Sequence, residues 1–140
     1  MTGIKRIYID TSPYIYYLEK NPQYGDKVKS FFKCNYNSGT EFVTSTITIA
    51  EYAIVPYREN NRKLLDDFDL LMEDMGTDIL DITRPIAKKA AEIRASHNKF
   101  KAMDALQLAA AVISGCSLFL TNDKQLRQFK KLKIMTMDDL

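Results

Sequence analysis

Two cysteines, one histidine and no tryptophan occur in a chain of 140 residues. Cys34 and Cys116 stand apart, with no CxxC pair and no Cys/His cluster. That spacing excludes a zinc finger and a disulfide framework, and both thiols are expected to be buried or inert. No apolar run approaches the roughly 18 residues that span a bilayer. The opening MTGIKRIYID lacks the apolar core of a signal peptide, so a cytosolic, non-membrane protein is expected. Repeats, low-complexity tracts and dividing linkers are missing too. With 46% hydrophobic residues, the composition suits one domain over residues 1–140 and leaves no room for a second core.

The formal net charge is only +2 and says little by itself. Its distribution says more. From Arg84 to Lys133 eleven Lys and Arg face only Glu92, Asp104 and Asp123, which leaves the remainder acidic. Such asymmetry suits a surface that tracks phosphates, although basic helix faces are commonly just solvated.

β-branched and aromatic runs predict strands over 4–9, 42–45, 78–82, 117–121 and 133–137. Helical spacing or good helix formers predict helices over 14–19, 24–36, 48–57, 62–75, 85–96, 102–114 and 124–130. Strands alternating with helices imply a parallel sheet covered on both faces. Met72, Met75, Met103, Met135 and Met137 read as core filler.

In open parallel sheets ligands bind beyond the carboxyl ends of the strands. Asp10 closes the first strand, followed by Thr11 and Ser12, whose hydroxyls can support a carboxylate. Ser12-Pro13 reads as a helix cap and first position, and Asp10 itself could be no more than a turn residue. Glu51 lies in ITIAEYAIV, apolar enough to predict burial, where a carboxylate needs a partner. Asp104 lies in AMDALQLAAAVI, apolar nearly all round and therefore predicted buried, with a first-turn capping role as the alternative. Asp123 follows SLFLTN at another strand end and could be a simple N-cap. Four acids in one pocket would raise one another's pKa unless a cation were present. Magnesium, with its oxygen ligands and retained waters, removes that conflict. His97, in the polar stretch SHNK, is expected to serve the surface.

IYIDTSPYIYYLE, TITIAEY, FKAMDALQLAAAVISGCSLFLTNDKQLRQF and LKIMTMDDL resemble, in order and spacing, the PIN domains, and most of all the VapC-like toxins of toxin–antitoxin pairs. The resemblance runs along almost the whole chain and is weakest between Glu51 and Asp104. It implies a three-layer α/β/α sandwich around a parallel sheet, and an acidic site of Asp10, Glu51, Asp104 and Asp123 with Thr11 and Thr121 as supporting hydroxyls. It also implies an antitoxin partner and a homodimer. The expected chemistry is endoribonuclease action with Mg2+ or Mn2+, in which Asp10, Asp104 and Asp123 ligate metal and Glu51 orients or deprotonates water. Lys99, Lys101, Lys124 and Arg127 flank the last two acids and are candidates for RNA contact. Tyr14, Tyr17 and Leu18 form a stripe that is either core or partner surface.

Rival readings are a catalytically idle scaffold module, a housekeeping RNA-processing nuclease and a phospho-receiver or aspartyl phosphatase. DTSPY lacks the second Asp of a DxDxT nucleophile, and Met137-Asp138-Asp139 stand where a receiver needs Lys. No GxxxxGK[ST] occurs, which excludes a P-loop.

Overall fold

The computed structural model describes residues 5–140. Five strands, β1 (Arg6–Ile9), β2 (Glu41–Ser45), β3 (Asp78–Leu80), β4 (Leu118–Thr121) and β5 (Lys133–Thr136), form one sheet in the order β3-β2-β1-β4-β5. Every pairing is parallel. Seven helices connect them: α1 (Thr11–Leu18), α2 (Gly25–Asn37), α3 (Thr46–Tyr52), α4 (Ile54–Arg58), α5 (Arg62–Asp74), α6 (Arg84–Ser96) and α7 (Ala102–Ile113), with 3-10 turns at Lys124–Gln128 and Met137–Asp139.

Strand alternation divides the core in two, because successive side chains point to opposite faces. Ile7, Ile9, Phe42, Leu118 and Leu120 meet α1, α2 and α5 through Tyr14, Val28, Phe32, Phe68 and Met72. Tyr8, Val43 and Phe119 meet α6 and α7 through Ile86, Ala90, Ile93, Leu108 and Ala111. The result is the three-layer α/β/α sandwich that the alternation of elements implies.

At the amino-terminal edge of the sheet, Arg6 bonds the carboxylates of Glu41 and Asp78 and, at 3.0 Å, the Ser114 carbonyl, so one guanidinium ties β1, β2 and β3 to the end of α7. Gly115, at φ 79°, takes the left-handed turn that stops α7 and lets the chain enter β4.

Several expectations need correction. The predicted helix 48–57 is two helices broken at Ala53: Pro56 has no N–H to give the Tyr52 carbonyl, and its ring crowds that position. The 124–130 helix is a short 3-10 turn. Asp10, not Ser12, caps α1, since the chain turns helical directly after β1 and the Asp10 carboxylate accepts from the Thr11 amide. The stretch around Glu51 is not mainly buried. Thr48, Tyr52 and Pro56 face inward at four-residue spacing, while Ile49, Ile54 and Val55 are 40–52% exposed. Likewise α7 is buried only through its middle, and Met103 and Ile113 at its ends are exposed rather than core. Cys34 is exposed and Cys116 half-buried, and both are free. Ile4, predicted to begin β1, lies outside the described residues.

Candidate functional site

The sheet order makes β1 the switch point: the chain leaves it for β2 on one side and returns through β4 on the other. A crevice at the carboxyl ends of such neighbouring strands is where open α/β sheets bind ligands. Asp10 stands at the end of β1, and its backbone amide bonds the Leu120 carbonyl of β4 at 2.9 Å. Thr121 closes β4, with Asp123 two residues on.

The Asp10 carboxylate is buried and filled with donors. Oδ1 accepts from the Thr11 amide at 2.7 Å and from Gln107 Nε2 at 2.8 Å, while Oδ2 accepts from the Thr121 hydroxyl at 2.7 Å. Even so, burial raises its pKa to about 6. The Thr121 and Thr11 bonds pull it down, and the charges of Asp104 and Glu51 push it further up. Glu51, on α3, is half-buried, and its Oε1 accepts from the Thr11 hydroxyl at 2.6 Å and from Gln107 Nε2 at 3.0 Å. Asp104 sits in the first turn of α7. Its pKa is raised by desolvation first, then by Asp123 and Glu51, against a lowering influence of Lys101. Asp123 N-caps the following 3-10 turn through the Gln125 amide at 3.0 Å, and its own amide donates to Thr121 Oγ1 at 3.1 Å.

The fold therefore gathers Asp10, Glu51 and Asp104 within electrostatic reach of one another, with Asp123 acting on Asp104. No Lys or Arg forms an ion pair with any of the four among the described residues, whereas the acids at the opposite edge are held by Arg6. Among the described residues no three acid, His or Cys side chains stand close enough to enclose an ion alone. The donors are nonetheless all hard oxygens, and a buried carboxylate raised toward neutrality beside Asp104 and Glu51 lacks positive charge. That chemistry fits a divalent cation bound partly through water.

The flanking cations divide. Lys99 and Lys101 are exposed beside the start of α7. Lys124 is paired with Asp138 at 2.8 Å, and Arg127 with Asp139 at 2.9 Å and the Thr136 hydroxyl at 2.7 Å. His97 caps α6, stacks on Phe100 with ring centres 4.7 Å apart and meets Phe129 edge-on, which is a packing role away from the acids. Of the aromatic stripe, Tyr14 is fully buried and Tyr17 and Leu18 partly so.

Gln107 escaped the reading of α7 as apolar. It is buried, three residues after Asp104, and bonds both Asp10 and Glu51. Its signal in the sequence was a single polar side chain in the buried stretch ALQLAAAV.

The PIN domain family model matches residues 7–132. No curated protein sequence matches the chain. Among solved structures, the fold resembles VapBC2 from Rickettsia felis bound to a promoter DNA fragment, at 15% identity and TM-score 0.79, covering 94% of this chain and 98% of that one. It also resembles a toxin-antitoxin complex from Klebsiella pneumoniae, at 18% identity and TM-score 0.71, covering 96% and 99%. A third similar structure is the sarcin-ricin loop cleaving toxin VapC20 of Mycobacterium tuberculosis, at 15% identity and TM-score 0.67, covering 91% and 98%.

Proposed function

Because this chain belongs to the PIN domain family, we propose that it is a metal-dependent endoribonuclease and the toxin of a VapBC-type toxin–antitoxin pair. The observation that carries the reading is the position of four acids from four elements at the β1/β4 switch point, with Asp10 buried and no protein cation paired to any of them among the described residues. An idle scaffold would have no reason to keep the electrostatic cost of that arrangement.

Asp10, Asp104 and Asp123 would hold Mg2+ or Mn2+, directly or through water. Such an ion supplies Lewis acidity that neutralises a phosphoryl oxygen and makes water easier to deprotonate. Glu51 Oε1 is committed to Thr11 and Gln107, which leaves Oε2 to orient the attacking water and take its proton. The water oxygen attacks phosphorus, the bond to the 3′ oxygen breaks, that oxygen takes a proton from solvent water, and the products are a 3′-hydroxyl and a 5′-phosphate. Thr121 holds the Asp10 carboxylate in one orientation. Lys99, Lys101, Lys124 and Arg127 border the last two acids and meet RNA phosphates.

The similar toxin–antitoxin structures support a cognate antitoxin, and the protein is proposed to be a cytoplasmic homodimer. No helix among the described residues is long and apolar enough to cross a membrane. The test is incubation of the purified protein with total tRNA, rRNA and mRNA, with Mg2+, Mn2+ or EDTA, and mapping of the new ends. Discrete cuts bearing 5′-phosphates, abolished by EDTA, are expected. Intact RNA under every condition would return the chain to the scaffold reading.

A further inference from the structure

The carboxamide of Gln107 uses both of its N–H groups on acids that stand on different elements. Nε2 is 2.8 Å from Asp10 Oδ1, at the end of β1, and 3.0 Å from Glu51 Oε1, on α3. The other end is equally occupied: Oε1 accepts from the Tyr8 hydroxyl at 2.9 Å and the Thr48 hydroxyl at 3.1 Å. A flipped amide would aim Oε1 at two carboxylates, so its orientation is determined by the hydrogen-bond inventory. A carboxamide oxygen can only accept, so the Tyr8 hydroxyl is the donor in this contact. Because its one proton goes to Gln107, Tyr8 accepts from Ser45 in turn, at 2.8 Å. Tyr8, Thr48 and Gln107 are all buried, so water does not compete for these bonds.

Gln107 also lies three residues after Asp104, on the same side of α7 one turn along. The helix that presents Asp104 thus also grips Asp10 and Glu51. A Lys or Arg in this place would bring the two acids together by supplying charge that competes with a divalent ion. A Gln brings them together and leaves the site's negative charge intact.

We infer that Gln107 is a positioning residue, whose carboxamide, oriented by Tyr8 and Thr48, sets the spacing of Asp10 and Glu51 for metal binding and cleavage. This rests on the nuclease reading above. The experiment compares the parent protein with Gln107→Met, which keeps the length and loses both donors, and Tyr8→Phe, which loses only the orienting hydroxyl. Three quantities are measured: Mn2+ affinity by titration calorimetry, the initial rate on total RNA at saturating Mn2+, and the melting temperature without metal.

Gln107→Met is expected to weaken Mn2+ binding by about 10–100-fold and to lower the saturated rate by a similar factor, whatever its melting temperature, as the loss of partners behind metal ligands does. Tyr8→Phe is expected to shift both readouts in the same direction by a smaller factor. A folded Gln107→Met protein with affinity and rate within about twofold of the parent overturns the inference, even if it melts earlier, because that is a structural role only. Should Gln107→Met fail to fold, Tyr8→Phe decides: weakened Mn2+ binding supports the clamp, and unchanged binding overturns it. A parent protein that binds Mn2+ and cuts RNA beside indifferent variants removes the clamp alone, whereas a parent that does neither removes the nuclease reading on which it rests.

Discussion

Thr121 Oγ1 lies 2.7 Å from Asp10 Oδ2 and donates to it, so the last residue of β4 gives a hydrogen bond to the carboxylate that closes β1. The same oxygen accepts from the Asp123 amide at 3.1 Å. One hydroxyl therefore spans the two strand ends at the switch point. Thr121→Val keeps the shape but leaves a buried carboxylate oxygen and an amide short of partners. We expect stability at neutral pH to fall by about 1–3 kcal/mol, while Thr121→Ser stays near the parent. Urea titration of the metal-free proteins checks this, and equal midpoints for Val and Ser would show that the bond contributes nothing net.

Asp10 makes the metal-free protein pH-sensitive in a direction opposite to that of most acids. Its pKa in the fold is raised to about 6 by burial, well above the unfolded value, so the folded state holds the proton more tightly. Stability from this group is present at pH 4 and is lost as pH rises toward and through 6, by roughly 3 kcal/mol for a shift of about two units. Asp104 is raised as well and acts in the same sense. Asp138 and Asp139 are lowered by their cation and backbone partners, and their contributions are lost only as pH falls below the ordinary carboxylate range.

Asp10→Asn is therefore expected to unfold at higher urea than the parent at pH 7.5 in EDTA, with the advantage vanishing near pH 4. Added Mn2+ should reverse the order, since only the parent gains by binding it. A parent whose stability rises between pH 4 and 6 would contradict the environment assigned to Asp10.

Much of this arrangement was legible in the sequence for a physical reason: strand ends and apolar helices are places where a carboxylate has no cheap explanation. Asp10 and Asp123 follow β-branched and aromatic runs, and Asp104 opens an apolar helix. Glu51 was singled out on a weaker ground. Its neighbours Ile49, Ile54 and Val55 were expected to be buried, and instead face solvent. Apolar content alone cannot show which side of a short helix at a sheet edge is covered. The break at Ala53 was available from Pro56 but was overridden by the apolar pattern around it. Gln107 was hidden because an amide among alanines and leucines looks like dilution of a core, and its partners come from residues 97 and 56 positions away. The pairing of Lys124 and Arg127 with the 3-10 turn at Met137–Asp139 is equally a tertiary fact.

That pairing separates the two sets of basic residues. Lys99 and Lys101 stand exposed beside α7, while Lys124 and Arg127 are already engaged on the surface. Exposed ion pairs are weak, so phosphates can still displace Asp138 and Asp139. Neutralising either pair is expected to reduce the slope of log affinity against log salt by about 1.4 for single-stranded RNA, two phosphate contacts at about 0.7 each. Filter binding of the Asp104→Asn protein at several salt concentrations measures the slope without cleavage. An unchanged slope in the Lys99/Lys101 double variant would make those residues an ordinary solvated face.

Asp104 offers the cleanest separation of activity from fold. It is half-buried in the first turn of α7, and Asp123, Glu51 and desolvation all raise its pKa. An Asn there keeps the size and a helix-compatible first turn while removing one of four mutually repelling charges, so the variant should fold at least as stably as the parent. Loss of one of the acids proposed to hold metal should lower RNA cleavage by at least about a hundredfold, the scale on which single groups in such sites act. In a bacterial host, expression of the parent chain without any partner is then expected to arrest growth, and expression of Asp104→Asn is not. Co-expression with the protein encoded beside it should relieve the arrest and yield a complex on purification. Growth arrest by both forms would mean that toxicity does not come from cleavage. Harmless expression of a parent protein that cuts RNA in vitro would replace the toxin assignment with an RNA-processing role, while leaving the acidic site and its chemistry in place.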